Sequence, residues 1–223
     1  MTAPPPSGEL PKNKQITNDL KEEYKTILEK HLDGRTLKED KINSWMNNIL
    51  SDAKEYFLKK YPDYNLFLYI YVCPRDVYFY SYTSSISVAD TDWNDSIVFT
   101  TDNLYSCLYF FFYEECNLNY EIEDYENLIV QNGNEILKKY LQDRNYGEEC
   151  KKYNEYIINE YIDFILNKEK YLRCYFISRI LKNTEKNKYF YKYISLGKKI
   201  YSKIIYIYEN DSLVCMLNSF FFK

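Results

Sequence analysis

Apolar positions along residues 20–32 recur at helical spacing. Leu20, Tyr24, Ile27, Leu28 and then His31 or Leu32 make one stripe on an otherwise Lys/Glu-rich segment. Asn18 or Asp19 can cap this helix, and Asp33-Gly34 can stop it. A second helix is expected from about Lys38–Asp40, burying Ile42, Trp45, Met46, Ile49, Leu50, Ala53, Phe57 and Leu58 and ending before Pro62. The texture then changes. Leu66–Cys73 is a continuous apolar run, as in a strand covered on both faces. Pro74-Arg75-Asp76 reads as a turn, Val77–Ser84 as an aromatic strand and Ser85–Asp95 as a polar loop carrying Trp93. Ser96–Thr100 and Leu104–Tyr113 read as two further strands around Asp102-Asn103. Helices followed by strands on short turns predict an α+β fold with an antiparallel sheet.

The order then starts again. "EILKKYLQDR" (Glu135–Arg144) echoes "TILEKHLDGR" (Thr26–Arg35) at an offset of 109. "KYNEY" (Lys152–Tyr156) echoes "KINSW" (Lys41–Trp45), and "YFYKY" (Tyr189–Tyr193) echoes "YFYSY" (Tyr78–Tyr82), both at 111. "LVCMLNSFFF" (Leu213–Phe222) echoes "LYSCLYFFF" (Leu104–Phe112) with one residue inserted. A period this long implies a duplicated domain rather than a solenoid, whose repeats run about 20–50 residues. The expected organisation is a disordered, proline-rich tail over residues 1–17, a first domain over 18–116 and a second, diverged one over 117–223. Each would be two helices on a four-stranded antiparallel sheet. A segment of about Glu114–Gln131 would bridge them. The first 116 residues carry a formal charge of −6 and the remainder +2, signs that favour docking of one copy on the other.

Composition removes several function classes. The longest apolar run is eight residues, far short of the roughly 20 of a membrane helix, and the N-terminus has no apolar h-region of a secretory signal. The expectation is a cytoplasmic protein in a reducing compartment. A net charge of −4 argues against a general nucleic-acid binder. Lys outnumbers Arg 24 to 5, and Asn and Ile are plentiful, as in a chain written in AT-rich codons; the 27 tyrosines are then partly core residues. The six cysteines (Cys73, Cys107, Cys116, Cys150, Cys174 and Cys215) include no C-x-x-C, so buried free thiols are expected rather than a metal site. His31, the one histidine, is expected on a solvated helix face. Without a histidine-centred triad, a phosphate-cradling glycine loop or a carboxylate pair marked out by spacing, no catalytic residue, metal or cofactor is expected, and the chain reads as a non-enzyme.

The first copy resembles the Tctex-type dynein light chains. The resemblance is carried by Ile27-Leu28, "KINSWMNNIL" (Lys41–Leu50) with Trp45, "YIYVCPR" (Tyr69–Arg75), "YTSS" (Tyr82–Ser85), the acidic "DTDWNDSIVF" (Asp90–Phe99) and "DNLYSCLYFFF" (Asp102–Phe112). In the second copy "YENDSLVCMLNSFFF" (Tyr208–Phe222) looks like the family's last strand. Tyr156 stands there in place of Trp45, and the loop Ile194–Tyr201 lacks the acidic cluster. The resemblance implies a non-enzymatic scaffold or cargo-adaptor subunit of a cytoplasmic or axonemal dynein motor, placed on the cytoskeleton. Its partners would be a dynein intermediate chain or other extended segments, and other dynein light chains. Relatives are homodimers that exchange a strand, so the two copies would form an intramolecular pseudo-dimer, with further dimerisation open. An exchanged second strand would make Tyr78, Tyr80, Tyr82, Ser84, Ser85, Tyr189, Tyr191 and Tyr193 partner-binding or inter-copy contacts; otherwise they are ordinary sheet residues. The rival reading is a single-stranded RNA binder that stacks bases on aromatic strands, with Lys182–Lys192 tracking phosphates.

Overall fold

A computed structural model describes residues 12–87, 89, 92–114, 126–168, 172–196 and 200–222. Helices α1 (Lys12–Leu32) and α2 (Glu39–Lys60) precede strands β1 (Tyr64–Pro74), β2 (Phe79–Ile86), β3 (Trp93–Thr100) and β4 (Leu104–Glu114). Helices α3 (Glu126–Leu141) and α4 (Cys150–Lys168) then precede β5 (Arg173–Lys182), a 3-10 turn (Asn183–Lys188), β6 (Phe190–Leu196), β7 (Ile200–Glu209) and β8 (Leu213–Phe222). The fold is α+β with two four-stranded antiparallel sheets, as the alternation of helix and strand textures predicts.

The sheets do not follow chain order. One runs β3-β4-β1-β6 and the other β2-β5-β8-β7. Strand β2 thus leaves its sequence neighbours and pairs with β5, from Phe79↔Leu181 to Ile86↔Cys174. Reciprocally, β6 pairs with β1, from Val72↔Phe190 to Leu66↔Leu196. The α1–α2 pair covers the first sheet and the α3–α4 pair the second. The bare faces of both sheets meet in a third, largely aromatic core.

Strand β1 shows why both faces are dry. Leu66, Leu68, Ile70 and Val72 turn to the helices, while Phe67, Tyr69, Tyr71 and Cys73 turn to the opposite sheet. All eight residues are buried, as the unbroken apolar run predicts. The runs Phe110–Phe112 and Phe220–Phe222 are fully buried for the same reason.

Several sequence expectations are corrected. Helix α1 begins at Lys12, not near Asn18, because Ile16 and Thr17 lie one turn ahead of Leu20 on the buried stripe. Of the expected tail, residues 1–11 lie outside the described residues, as does 115–125 of the bridging segment; 126–131 are helical. Trp93 is not in a loop: it opens β3 opposite Phe112. Leu58 is on the exposed side of α2. His31 is not solvated, since its flank of α1 faces α2; its Nε2 lies 2.9 Å from Asp52 Oδ2, and Lys30 Nζ donates to the same oxygen at 2.8 Å. The expected stop at Asp33-Gly34 holds, with Gly34 at φ 64°, where a residue without Cβ is unstrained. The loop expected over Ile194–Tyr201 is shorter: β6 runs to Leu196, β7 opens at Ile200, and 197–199 lie outside the described residues.

Candidate partner-binding groove

Because β2 lies in the second sheet and β3 in the first, consecutive strands form neighbouring outer edges of different sheets. Between them runs a groove of about 410 Å³. Val77, Phe79 and Ser81 form one wall, Ser96 and Val98 the other, and Tyr71, Cys107 and Tyr109 the floor. Two contacts hold the walls at a fixed spacing. Asn94 Nδ2 donates to Ser85 Oγ at 2.8 Å, and the hydroxyls of Ser81 and Tyr109 meet at 3.1 Å. Each wall ends in a strand edge with no neighbouring strand among the described residues. An extended segment entering here would find main-chain donors and acceptors beside it and alternating pockets for its side chains.

Two arginines are fully buried, one of them, Arg179, against the rings of the groove floor. Arg173, at the start of β5, grips Asp92 with both arms: Nε to Oδ2 at 2.9 Å and Nη2 to Oδ1 at 2.8 Å. Both side chains are fully buried, and the guanidinium lies 4.4 Å from the Tyr113 ring centre. This pair anchors the end of the β2–β3 connection to the second sheet. Arg179 sits in a box of rings, 4.5 Å from Tyr69, 4.6 Å from Tyr71, 5.3 Å from Tyr189 and 5.6 Å from Tyr109. Its Nη1 donates to Tyr69 Oη at 2.7 Å, while Nε and Nη2 have no partner among the described residues. Ring faces thus stand around the guanidinium where a carboxylate would ordinarily be.

Burial governs the titratable groups here. It pushes the Cys107 thiol up to about 11, the Cys73 thiol up to about 12 and the Tyr109 phenol up to about 12. At physiological pH this holds all three groups in their neutral forms. The five described cysteines (Cys73, Cys107, Cys150, Cys174 and Cys215) are buried and free; Cys116 lies outside the described residues. Among the described residues no three His, Cys, Asp or Glu side chains gather where they could hold a metal ion, and no helix is long and apolar enough to cross a membrane.

The eight residues singled out from the sequence do not share one surface. Tyr78 is 78% exposed on the groove rim just before β2. Tyr80 and Tyr82 turn the other way, half-buried against the core under α3 and α4. Ser84 and Ser85 lie opposite Phe176 and Tyr175 of β5. Tyr189 is buried in the Arg179 box, Tyr191 stacks on Tyr69 at 5.6 Å, and Tyr193 packs on Phe220 at 5.2 Å, all between the sheets. Aligning "YFYSY" directly with "YFYKY" therefore equates residues on opposite faces; the facing pattern matches Phe79 with Tyr189, one residue away. Similarly, Tyr156 is 48% exposed where Trp45 is buried. The next residue, Ile157, fills the matching buried position instead.

Sequence reasoning missed Asp92, Arg173, Arg179 and the groove floor. The available signal was the scarcity of Arg, with two of only five inside the apolar β5 run. No family model matches the chain, and no curated protein matches it significantly.

Proposed function

We propose that this chain is a non-enzymatic Tctex-type dynein light chain in which two fused copies form an intramolecular pseudo-dimer, and that it acts as a scaffold or cargo-adaptor subunit of a dynein motor. One observation carries the reading: the reciprocal placement of β2 and β6, each in the sheet built mainly from the other stretch of chain. That is the strand exchange which the resemblance implies between two protomers, here within one polypeptide. The internal echoes support it, as does the recurrence of burial. Leu20, Ile27, Leu28 and Leu32 of α1 match Ile129, Ile136, Leu137 and Leu141 of α3, all at the offset of the first echo. Fusion replaces a bimolecular association by an effective concentration that reaches millimolar for short linkers.

The groove between β2 and β3 is the proposed seat of an extended partner, a dynein intermediate-chain segment being the first candidate. Main-chain bonds to an edge would give affinity, and the pockets at Tyr78, Val98 and Tyr109 would give specificity. The RNA-binding reading has less support. Tyr189 and the rings of β1 are buried between the sheets, and base stacking needs open faces. The test is isothermal titration of the full chain with an intermediate-chain segment. The expected outcome is micromolar binding, abolished by Val98→Pro, since a proline there removes a main-chain donor from the open edge of β3. Absence of binding at micromolar concentration would remove the dynein assignment.

A further inference from the structure

Strand β7 carries an edge unlike the other three. It is ten residues long and the outermost member of its sheet. Ile204 and Tyr206 are buried on its helix side, so Lys203, Ile205, Ile207 and Glu209 share the opposite face. Ile205 is 37% and Ile207 63% exposed. Edge strands are ordinarily protected by charges, prolines, bulges or shortness. The edges of β2 and β3 face each other across the groove, linked by Asn94–Ser85 and Ser81–Tyr109, which leaves room for a single segment and not for a second sheet; β6 is only seven residues long. On β7 the register shift lies at its start, between Ile200 and Ser202, and the Ile205–Ile207 stretch pairs regularly with β8.

The order of these side chains is its own complement. Laid antiparallel against itself about Tyr206, the strand brings Ile205 opposite Ile207 and Lys203 opposite Glu209, each pair twice across a two-fold axis. Parallel alignment in register would instead set Lys203 against Lys203 and Glu209 against Glu209, which is repulsive. We propose that β7 pairs antiparallel with β7 of a second copy, joining two molecules through one continuous eight-stranded sheet and leaving the β2–β3 groove of each open. Within one chain Glu209 takes Lys186 and Asn183, and Lys203 lies 4.3 Å from the Tyr193 ring centre. The Lys186–Glu209 bridge is solvent-exposed on both sides, so exchanging it for a cross-strand partner costs little.

Sedimentation equilibrium of the full chain tests this. The expected mass is twice 27.1 kDa at micromolar concentration. Ile207→Lys is expected to weaken the dimer by roughly tenfold or more, with the far-ultraviolet spectrum unchanged. Lys203→Glu and Glu209→Lys should each weaken it, and the double reversal should restore it, a rescue that only this register produces. A monomer at every concentration, a dimer indifferent to Ile207→Lys, or a double reversal no better than the single ones would each overturn the proposal. If Ile207→Lys fails to fold, the charge reversals alone decide.

Discussion

At the residue scale, two of the five arginines, Arg173 and Arg179, are fully buried where a lysine would fail. A lysine at position 173 could not hold both oxygens of Asp92, and one at 179 could not lie flat among four rings. Asp92 read in sequence as one more acid of a solvated loop, because nothing local reveals that its partner lies 81 residues away. Asp92→Asn is therefore expected to destabilise the fold by about 3–5 kcal/mol in urea denaturation, since it removes the carboxylate charge that a buried guanidinium grips with both arms. A surface pair would cost less than about 1 kcal/mol, and a loss that small would mean the pair is hydrated. Asp52 gives the pH dependence. Hydrogen bonds from Lys30 and His31, outweighing burial, hold its carboxyl below the usual range. Its contribution is thus complete above the unfolded carboxyl value of about 3.9 and is lost as pH falls through the lower folded one. Asp52→Asn should lower stability at pH 7 and leave it unchanged near pH 2, narrowing the gap between parent and variant as acid is added. A gap that persists at pH 2 would show that packing, not charge, is what Asp52 supplies.

Between elements, the sequence was readable where periodicity is strong and silent where it is not. The apolar stripes of α1 and α2, the doubly covered β1 and the strand β4 are legible. The facing of β1 was legible too, had the alternation of aliphatic and aromatic side chains from Leu66 to Cys73 been weighted. The repeats were visible, but identity alone set two of them one residue away from the burial pattern. Side-chain size also moves between elements. Tyr24 of α1 and Ile97 of β3 are both buried in the first core; 109 residues further along, α3 has Gly133 and β7 has Tyr206. A Cβ on Gly133 would clash with the Tyr206 ring. That ring cannot swing aside freely, because its hydroxyl donates to Ile129 O at 2.8 Å and meets the Tyr161 hydroxyl at 2.8 Å. Gly133→Ala ordinarily strengthens a helix by roughly 1 kcal/mol. Here overpacking of about 1–3 kcal/mol should outweigh that gain and lower the melting temperature. A rise in melting temperature would mean the ring has room to yield.

For the molecule as a whole, chain order says nothing about which sheet a strand joins, so the exchange of β2 and β6 entered the sequence reading only through family resemblance. Its consequence is thermodynamic. Removing residues 126–222 would strip β6 from the first sheet and leave β2 with no ladder at all; neither stretch of chain completes its own sheet. The aromatic layer between the sheets draws on both stretches, and so does the Asp92–Arg173 pair. Chains of more than about 150 residues commonly unfold in stages, but a reciprocal exchange makes staged loss costly, because opening one sheet orphans a strand of the other. Both tryptophans lie in the first stretch, Trp45 on α2 and Trp93 on β3, so their fluorescence reports the first sheet and its helices, while far-ultraviolet dichroism reports every element. The two signals are expected to trace a single coincident urea transition, with the large slope that the exposed surface of a 223-residue unit implies. Fluorescence that changes before or after the dichroism would mean that the two sheets melt separately. The exchanged strands would then be peripheral additions rather than the ties that make one cooperative unit.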